Sequence, residues 1–300
     1  MFLVQFKKIC NFQKINLTGG GSFKFYDKIK EALGVEIYKY DELKSVLCGY
    51  FLMNDYSTMY HLEEKNLTEI LINAKKIEND SLFLNVDSFC KYIKVNSIFS
   101  FTFPHLVVNI GSGVSIIKVF SDEKIERVGG TMCGGGTLLG LSKLLIGTDS
   151  FDEIVGLAKK GDHKNVDLLV SDIYGKKIFK KNTDNETVDS SLLDQDILAS
   201  SFGKIYQILH EKPGTVFKKE DIAQSLLLLI CFQIAQLAYL YAEQNGIKHV
   251  CYYGNFTQTG SFTIELLNYG TSFWSKEIQS HFNDLDGYLG AIGTLSKKQK

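Results

Sequence analysis

The 300-residue sequence predicts an α/β protein. Two observations carry this: short β-branched and aromatic runs alternate with longer amphipathic or apolar stretches, and glycine clusters fall at the junctions. The imbalance of 26 glycines against 2 prolines points the same way, to turns made by backbone freedom rather than by rigid rings.

Taken in order, a strand-like segment runs to the loop Thr18-Gly19-Gly20-Gly21, followed by a helix near Tyr26 to Leu33. Glu36 to Tyr40 reads as a strand, and Asp41-Glu42-Leu43 opens a helix that continues toward Leu52. Residues 54–80 are polar with a helix around Leu67 to Ala74, and 81–104 are aromatic-rich and end at Pro104, where a lobe boundary is expected. The strongest β signal follows: His105 to Ile110, a turn at Gly111-Ser112-Gly113, then Val114 to Phe120, a hairpin pattern. A third strand, Lys124 to Val128, precedes the cluster Gly129 to Thr137, and Leu138 to Leu145 reads as helix. Ser150-Phe151-Asp152-Glu153 is a capping-box pattern for a helix that ends by Gly161. Residues 176–190 are charged and predict a surface loop. A long helix from about Glu220 to Glu243 leads to the strand His249 to Tyr253, a turn at Gly254-Asn255-Phe256, and a last glycine series, Gly287 to Gly293, that starts a terminal helix.

Composition narrows the function. The chain is 45% hydrophobic and 22% charged, with 33 basic against 34 acidic residues, so it carries no electrostatic footprint for nucleic acid. The six cysteines include no C-x-x-C pair, which disfavours a zinc ribbon or dithiol redox site; reduced thiols are expected. The amino terminus lacks the pattern of a secretory signal, and the cytoplasm is the expected compartment. The apolar stretch Leu226 to Ala242 is short for a membrane span and contains Gln233 and Gln236, so it predicts a buried core helix.

The glycine clusters at 19–21, 111–113, 129–136 and 287–293 are placed to let backbone amides approach phosphate oxygens, although any single cluster is commonly a structural turn. None matches G-x-x-x-x-G-K-[ST] or a G-x-G-x-x-G between a first strand and helix. The hairpin-based nucleotide fold of actin and the hexokinases remains.

Here the residues become specific. The stretch from Val107 to Gly175, containing Val108-Asn109-Ile110-Gly111-Ser112-Gly113-Val114-Ser115-Ile116-Ile117 and Gly129-Gly130-Thr131-Met132-Cys133-Gly134-Gly135-Gly136-Thr137, resembles the eukaryotic-type (type II) pantothenate kinases. So do Leu17 to Phe25, Ala199 to Lys204, Tyr253 to Phe256, Phe273 to Lys276 and Asp286 to Ala291, in the family's order and over nearly the whole chain. The resemblance implies an actin/hexokinase-like (ribonuclease H-like) two-lobed fold. It divides the chain into residues 1–104, the remainder of an amino-terminal lobe with the catalytic-base helix, and 105–300, a carboxy-terminal lobe with glycine-rich loops and dimerisation helices. It implies transfer of the ATP γ-phosphate, with Mg²⁺, to the primary hydroxyl of pantothenate, the first step of coenzyme A synthesis. Glu42 then matches the general base; taken alone it would be a helix-terminal carboxylate favoured by the dipole. Ser112, Ser115 and Arg127 match residues that contact pantothenate and the acyl-coenzyme A inhibitor. Gly19, Gly20, Gly21, Gly111, Gly113, Gly134, Gly135 and Gly136 form the expected phosphate and nucleotide loops, with no side chain identified to hold a metal. A homodimer, or a heterodimer with a related chain, is expected.

The chain also departs from the family. No D-x-G-G-T hairpin, which in relatives cradles ATP before the T-G-G-G loop, occurs in it, so the amino-terminal lobe is expected to be incomplete. Phe232-Gln233 replaces an Asn-Asn pair, Gln258 an arginine of several relatives, and Asp286 a glutamate. The leading expectation is an active kinase. The alternatives are a regulatory partner subunit that binds acyl-coenzyme A, and an actin-like scaffold that binds nucleotide without transferring phosphate to a metabolite.

Overall fold

A computed structural model describes residues 12–53, 59–76, 95–98, 102–121, 124–174, 196–283 and 288–296. The expected surface loop at 176–190, the aromatic-rich stretch 81–94 and the Asp286-Gly287 pair lie outside these residues. The elements in chain order are β1 (Lys14–Leu17), α1 (Gly20–Lys24), α2 (Tyr26–Leu33), β2 (Glu36–Lys39), α3 (Glu42–Met53), β3 (Met59–Leu62), α4 (Leu67–Lys76) and β4 (Val95–Ile98). There follow β5 (His105–Ile110), β6 (Val114–Val119), β7 (Ile125–Thr131), α5 (Gly135–Ile146), α6 (Phe151–Lys160), β8 (Leu168–Leu169), α7 (Val170–Tyr174), β9 (Leu198–Ser200) and α8 (Gly203–Glu211). The last are α9 (Lys219–Gln244), β10 (His249–Tyr253), α10 (Ser261–Trp274), β11 (Gln279–Asn283) and α11 (Leu289–Gly293).

A seven-stranded sheet in the order β4-β3-β11-β10-β5-β6-β7 organises the molecule. β5, β6 and β7 form an antiparallel meander, while β10 runs parallel to β5 and β11 parallel to β10. Five strands thus follow the order 3-2-1-4-5 with the second reversed, the ribonuclease H-like arrangement. β3 and β4 extend the β11 edge in antiparallel fashion and come from before residue 104. β5 is apolar at consecutive positions because both of its faces are covered, and Leu106, Val107, Val108 and Ile110 are all buried. Burial of each such side chain contributes about 2 kcal/mol.

On one face, α5, α6, α9 and α10 pack against Leu106, Val108, Ile110 and Ile116. α9 has the length and apolarity of a membrane span, and 56% of its most apolar window is buried inside the protein. A helix enclosed by partners on several sides has no need of a polar stripe. On the opposite face, Leu43, Val46, Leu47 and Tyr50 of α3 and Leu289 of α11 cover Val107, Ile117, Val119, Cys251 and Tyr253. The α3 residues recur at helical spacing, which is why one turn after another meets the sheet.

Three expectations need correction. β7 continues to Thr131, so Gly129 and Gly130 belong to a strand: a Cβ on Gly129 would lie 2.1 Å from the Tyr241 ring, and one on Gly130 would lie 2.3 Å from the Val114 carbonyl oxygen. α5 begins at Gly135, three residues before Leu138. In the terminal series, Gly290 and Gly293 lie within α11, where Gly293 packs backbone to backbone on Ser45 and Gly49. The capping box at α6 forms in part: Ser150 Oγ accepts the Glu153 amide at 3.4 Å, while the Glu153 carboxylate accepts from Thr148 Oγ1 at 2.5 Å.

Candidate active site

β1 and β2 are paired in parallel, Leu17 opposite Lys39, so the chain leaves both strands at the same end. Thr18 Oγ1 donates to the Tyr40 carbonyl at 3.2 Å and ties the two exits together. This sets the Gly19 turn against the start of α3. Asp41 caps that helix, its Oδ1 accepting the Lys44 amide at 2.8 Å, and Glu42 is the first helical residue. Gly19 has φ +81°, and a Cβ there would lie 3.8 Å from both Cδ and Oε2 of Glu42. The Glu42 carboxylate is exposed and faces the positive end of its own helix. Gly20 and Gly21 do not continue a loop; they open the short α1.

The second part of the site is built on the hairpin. Ser115 lies opposite Asn109 on β5 and Gly130 on β7, and Arg127 lies opposite Ile117. Paired residues share a face, and Ile117 belongs to the cluster under α3. Arg127, Ser115 and Asn109 therefore occupy the side of the sheet that α3 covers. Arg127 Nε points at Ser115 Oγ at 3.5 Å, and its Nη2 would be 2.8 Å from a Cβ on Gly130. Glycine at 130 leaves the guanidinium room to lie across the strand, with its remaining donors exposed. Ser112 is exposed at the hairpin tip.

The glycine loops behave differently from expectation. Gly111 donates its amide to the Gly113 carbonyl at 2.9 Å, Gly135 to Gly111 at 2.9 Å and Gly136 to Ser112 at 2.9 Å. The Gly134 amide donates to Thr137 Oγ1 at 3.3 Å. These amides are spoken for within the chain, which corrects the reading of them as free phosphate donors. What glycine supplies instead is closeness: Cβ atoms at Gly134, Gly135 and Gly136 would stand 2.8, 2.9 and 3.1 Å from hairpin carbonyl oxygens. The start of α5 is thereby sewn onto the hairpin tip that carries Ser112.

The structure thus joins Glu42 with Gly19, Ser115 with Arg127, and Gly111, Ser112 and Gly113 with Gly134, Gly135 and Gly136. Sequence reasoning passed over Asn109, although a polar residue inside the apolar run His105 to Ile110 is a readable signal. Among the described residues, no three His, Cys, Asp or Glu side chains converge to hold a metal ion. Mg²⁺ takes few protein ligands and keeps its waters, and these residues supply no cage for it.

The Fumble family model matches residues 2–297. The pantothenate kinase of Schizosaccharomyces pombe is 36% identical over 295 residues, covering 97% of this chain and 65% of that protein. Pantothenate kinase 2 of Arabidopsis thaliana is 37% identical, with 95% of this chain and 28% of that protein covered. The chain therefore spans less than two thirds of the length of these relatives. Among solved structures, a ROK family glucokinase from Streptomyces griseus in complex with glucose and AMPPNP is 10% identical, with a TM-score of 0.38 over 89% of this chain and 70% of that one. With its sequence matched almost from end to end by the family model, the chain belongs to the Fumble family, that of the pantothenate kinases.

Proposed function

We propose that this chain is a pantothenate kinase that transfers the γ-phosphate of ATP to the primary hydroxyl of pantothenate. The observation that carries the reading is the placement of Glu42 beside the Gly19 turn, on the side of the sheet that also bears Arg127 and Ser115. An attacking hydroxyl needs a base within hydrogen-bond reach. Glu42 takes the hydroxyl proton as the oxygen bonds to the γ-phosphorus and the bond to ADP breaks in line. Arg127 offers a forked donor to the pantothenate carboxylate, and the hydroxyls of Ser112 and Ser115 orient the amide portion. Mg²⁺, when bound with ATP, would supply neutralisation of the charge on the phosphates. Acyl-coenzyme A contains the same pantothenate-derived portion, with an amide carbonyl where pantothenate has its carboxylate, so it competes for Ser112 and Ser115 and offers Arg127 an acceptor oxygen. Pairing through α9 and α10 with a second copy of this chain or with a related chain is part of this reading, and their exposed Leu240, Phe273 and Trp274 support it. So is residence in the cytoplasm.

The test is ATP- and pantothenate-dependent formation of phosphopantothenate by the wild type and by Glu42→Gln. The near-isosteric amide cannot accept the proton, and turnover is expected to fall at least about 100-fold. Equal turnover in the variant, or ATP consumption that ignores pantothenate, overturns the proposal.

A further inference from the structure

The contact between α3 and the sheet is mostly apolar, and apolar packing is less directional than a hydrogen bond in setting a helix's rotation. One buried polar join interrupts it. Tyr50, 3% exposed, brings its hydroxyl within 3.2 Å of His105 Nε2, and His105 is fully buried. His105 Nδ1 stands 3.0 Å from the Thr102 carbonyl oxygen, which can only accept. Nδ1 therefore carries the ring proton, Nε2 is bare, and the tyrosine hydroxyl is the donor. Cys251 Sγ lies 3.6 Å from the same hydroxyl oxygen. Burial pushes the Cys251 thiol up to about 12, so it stays protonated. The Tyr50 ring is held edge-on to Tyr253 at 4.9 Å. Helix, histidine ring and strand are joined through the Tyr50 hydroxyl.

Glu42 precedes Tyr50 by eight residues on the same 12-residue helix, about 12 Å along the axis. Slipping α3 by one residue turns Glu42 by about 100° away from the Gly19 turn. We infer that Tyr50 and His105 are positioning residues, which fix the rotation and register of α3 and thereby hold the Glu42 carboxylate at the site. The catalytic part of this inference rests on the reading of Glu42 as the base; the docking part does not.

The test uses the full chain with Tyr50→Phe, His105→Gln and His105→Leu, read by hydrogen–deuterium exchange and by steady-state kinetics. Tyr50→Phe keeps the ring and removes the hydroxyl. Exchange in α3 is expected to quicken about tenfold while β5, β6 and α9 stay within about twofold, because only the docked helix loosens. kcat is expected to fall about tenfold with both KM values nearly unchanged. His105→Gln, whose amide oxygen can accept from Tyr50, recovers most of what His105→Leu loses. In a Glu42→Gln background, Tyr50→Phe costs nothing further, since it acts through the residue already removed. A uniform rise in exchange across the protein, unchanged α3 exchange, or an equal kcat loss in both backgrounds overturns the inference. Full turnover by Glu42→Gln alone overturns the base reading instead, and the exchange pattern of α3 then still decides the docking.

Discussion

Gly49→Ala sets two well-measured effects against each other. In the interior of a helix, alanine is favoured over glycine by about 1 kcal/mol, so propensity alone predicts a more stable protein. The structure predicts the opposite sign. A Cβ on Gly49 would stand 1.9 Å from the Leu289 carbonyl oxygen and 2.6 Å from its carbon, and neither backbone atom can swing aside. Restoring an ordinary contact requires α3 and α11 to part by about 1.5 Å, which forfeits roughly half of the dispersion across the interface. Leu289 is fully buried there, so about 1 kcal/mol of its burial is lost, and the overpacked backbone adds about 1–3 kcal/mol. After the propensity gain, the net loss is about 1–3 kcal/mol. For a chain of 300 residues this lowers Tm by about 2–5 °C. Gly140→Ala is the matched control: it lies inside α5, also a 12-residue helix, and its Cβ would meet nothing within 4 Å. That variant is expected to gain about 1 kcal/mol. Differential scanning calorimetry of the pair gives shifts of opposite sign if the crossing is as described. A Gly49→Ala protein that melts at or above the wild type refutes the close approach of α3 and α11.

Stability is expected to fall as pH drops below about 6.5. Burial, reinforced by His249, His61 and His105, holds the His281 imidazole down at about 3, and burial brings His105 to about 4 and lowers His249. The unfolded chain binds these protons near pH 6.5 and the folded one does not, so stability is complete above that pH and declines toward pH 4, with a slope approaching about 1.4 kcal/mol per unit for each buried histidine. Urea midpoints at pH 7.5 and 5.5 check this, and a flat profile contradicts it. The Lys65–Glu265 pair, at 2.5 Å with side chains 14% and 8% exposed, joins the start of α4 to α10. Lys65→Met is expected to cost about 3 kcal/mol by leaving a buried carboxylate without its cation, and Lys65→Met with Glu265→Leu to recover most of it, both read from urea unfolding. A double variant as unstable as the single one would show that the charge pair is not what the site loses.

Much of the fold was legible because its signals are local. The bounds of α2, β5 and β10 follow from apolar periodicity and flanking glycine, and α9 from a run too apolar for a surface helix. Glu42 could be placed at a helix start because Asp41 is an evident cap. What was not legible depends on partners distant in sequence. Gly129 and Gly130 looked like a loop because nothing nearby in the chain announces Tyr241 or Arg127, the side chains that need their missing Cβ atoms. Tyr50 and His105 are 55 residues apart, and neither residue type on an apolar face signals a hydrogen bond to the other.

The glycines illustrate why composition suggests a ligand and geometry answers with the chain itself. A free amide at a glycine and an amide bonded to a neighbouring loop are identical in sequence, since both need only a missing Cβ. Here Gly111, Gly135 and Gly136 spend their amides on carbonyls of the hairpin and helix junction, and Gly49 and Gly293 spend their bareness on the α3–α11 crossing. Among the described glycines, only at Gly19 does a left-handed backbone lie against a candidate catalytic carboxylate. The specificity of such a site then resides in what the packed glycines hold in place: the Ser112 hairpin tip, the Arg127 guanidinium over Gly130, and the helix that presents Glu42. A substitution at Gly130 should therefore weaken the site through Arg127 even though glycine itself has no group to offer, because the side chain it admits has nowhere else to lie.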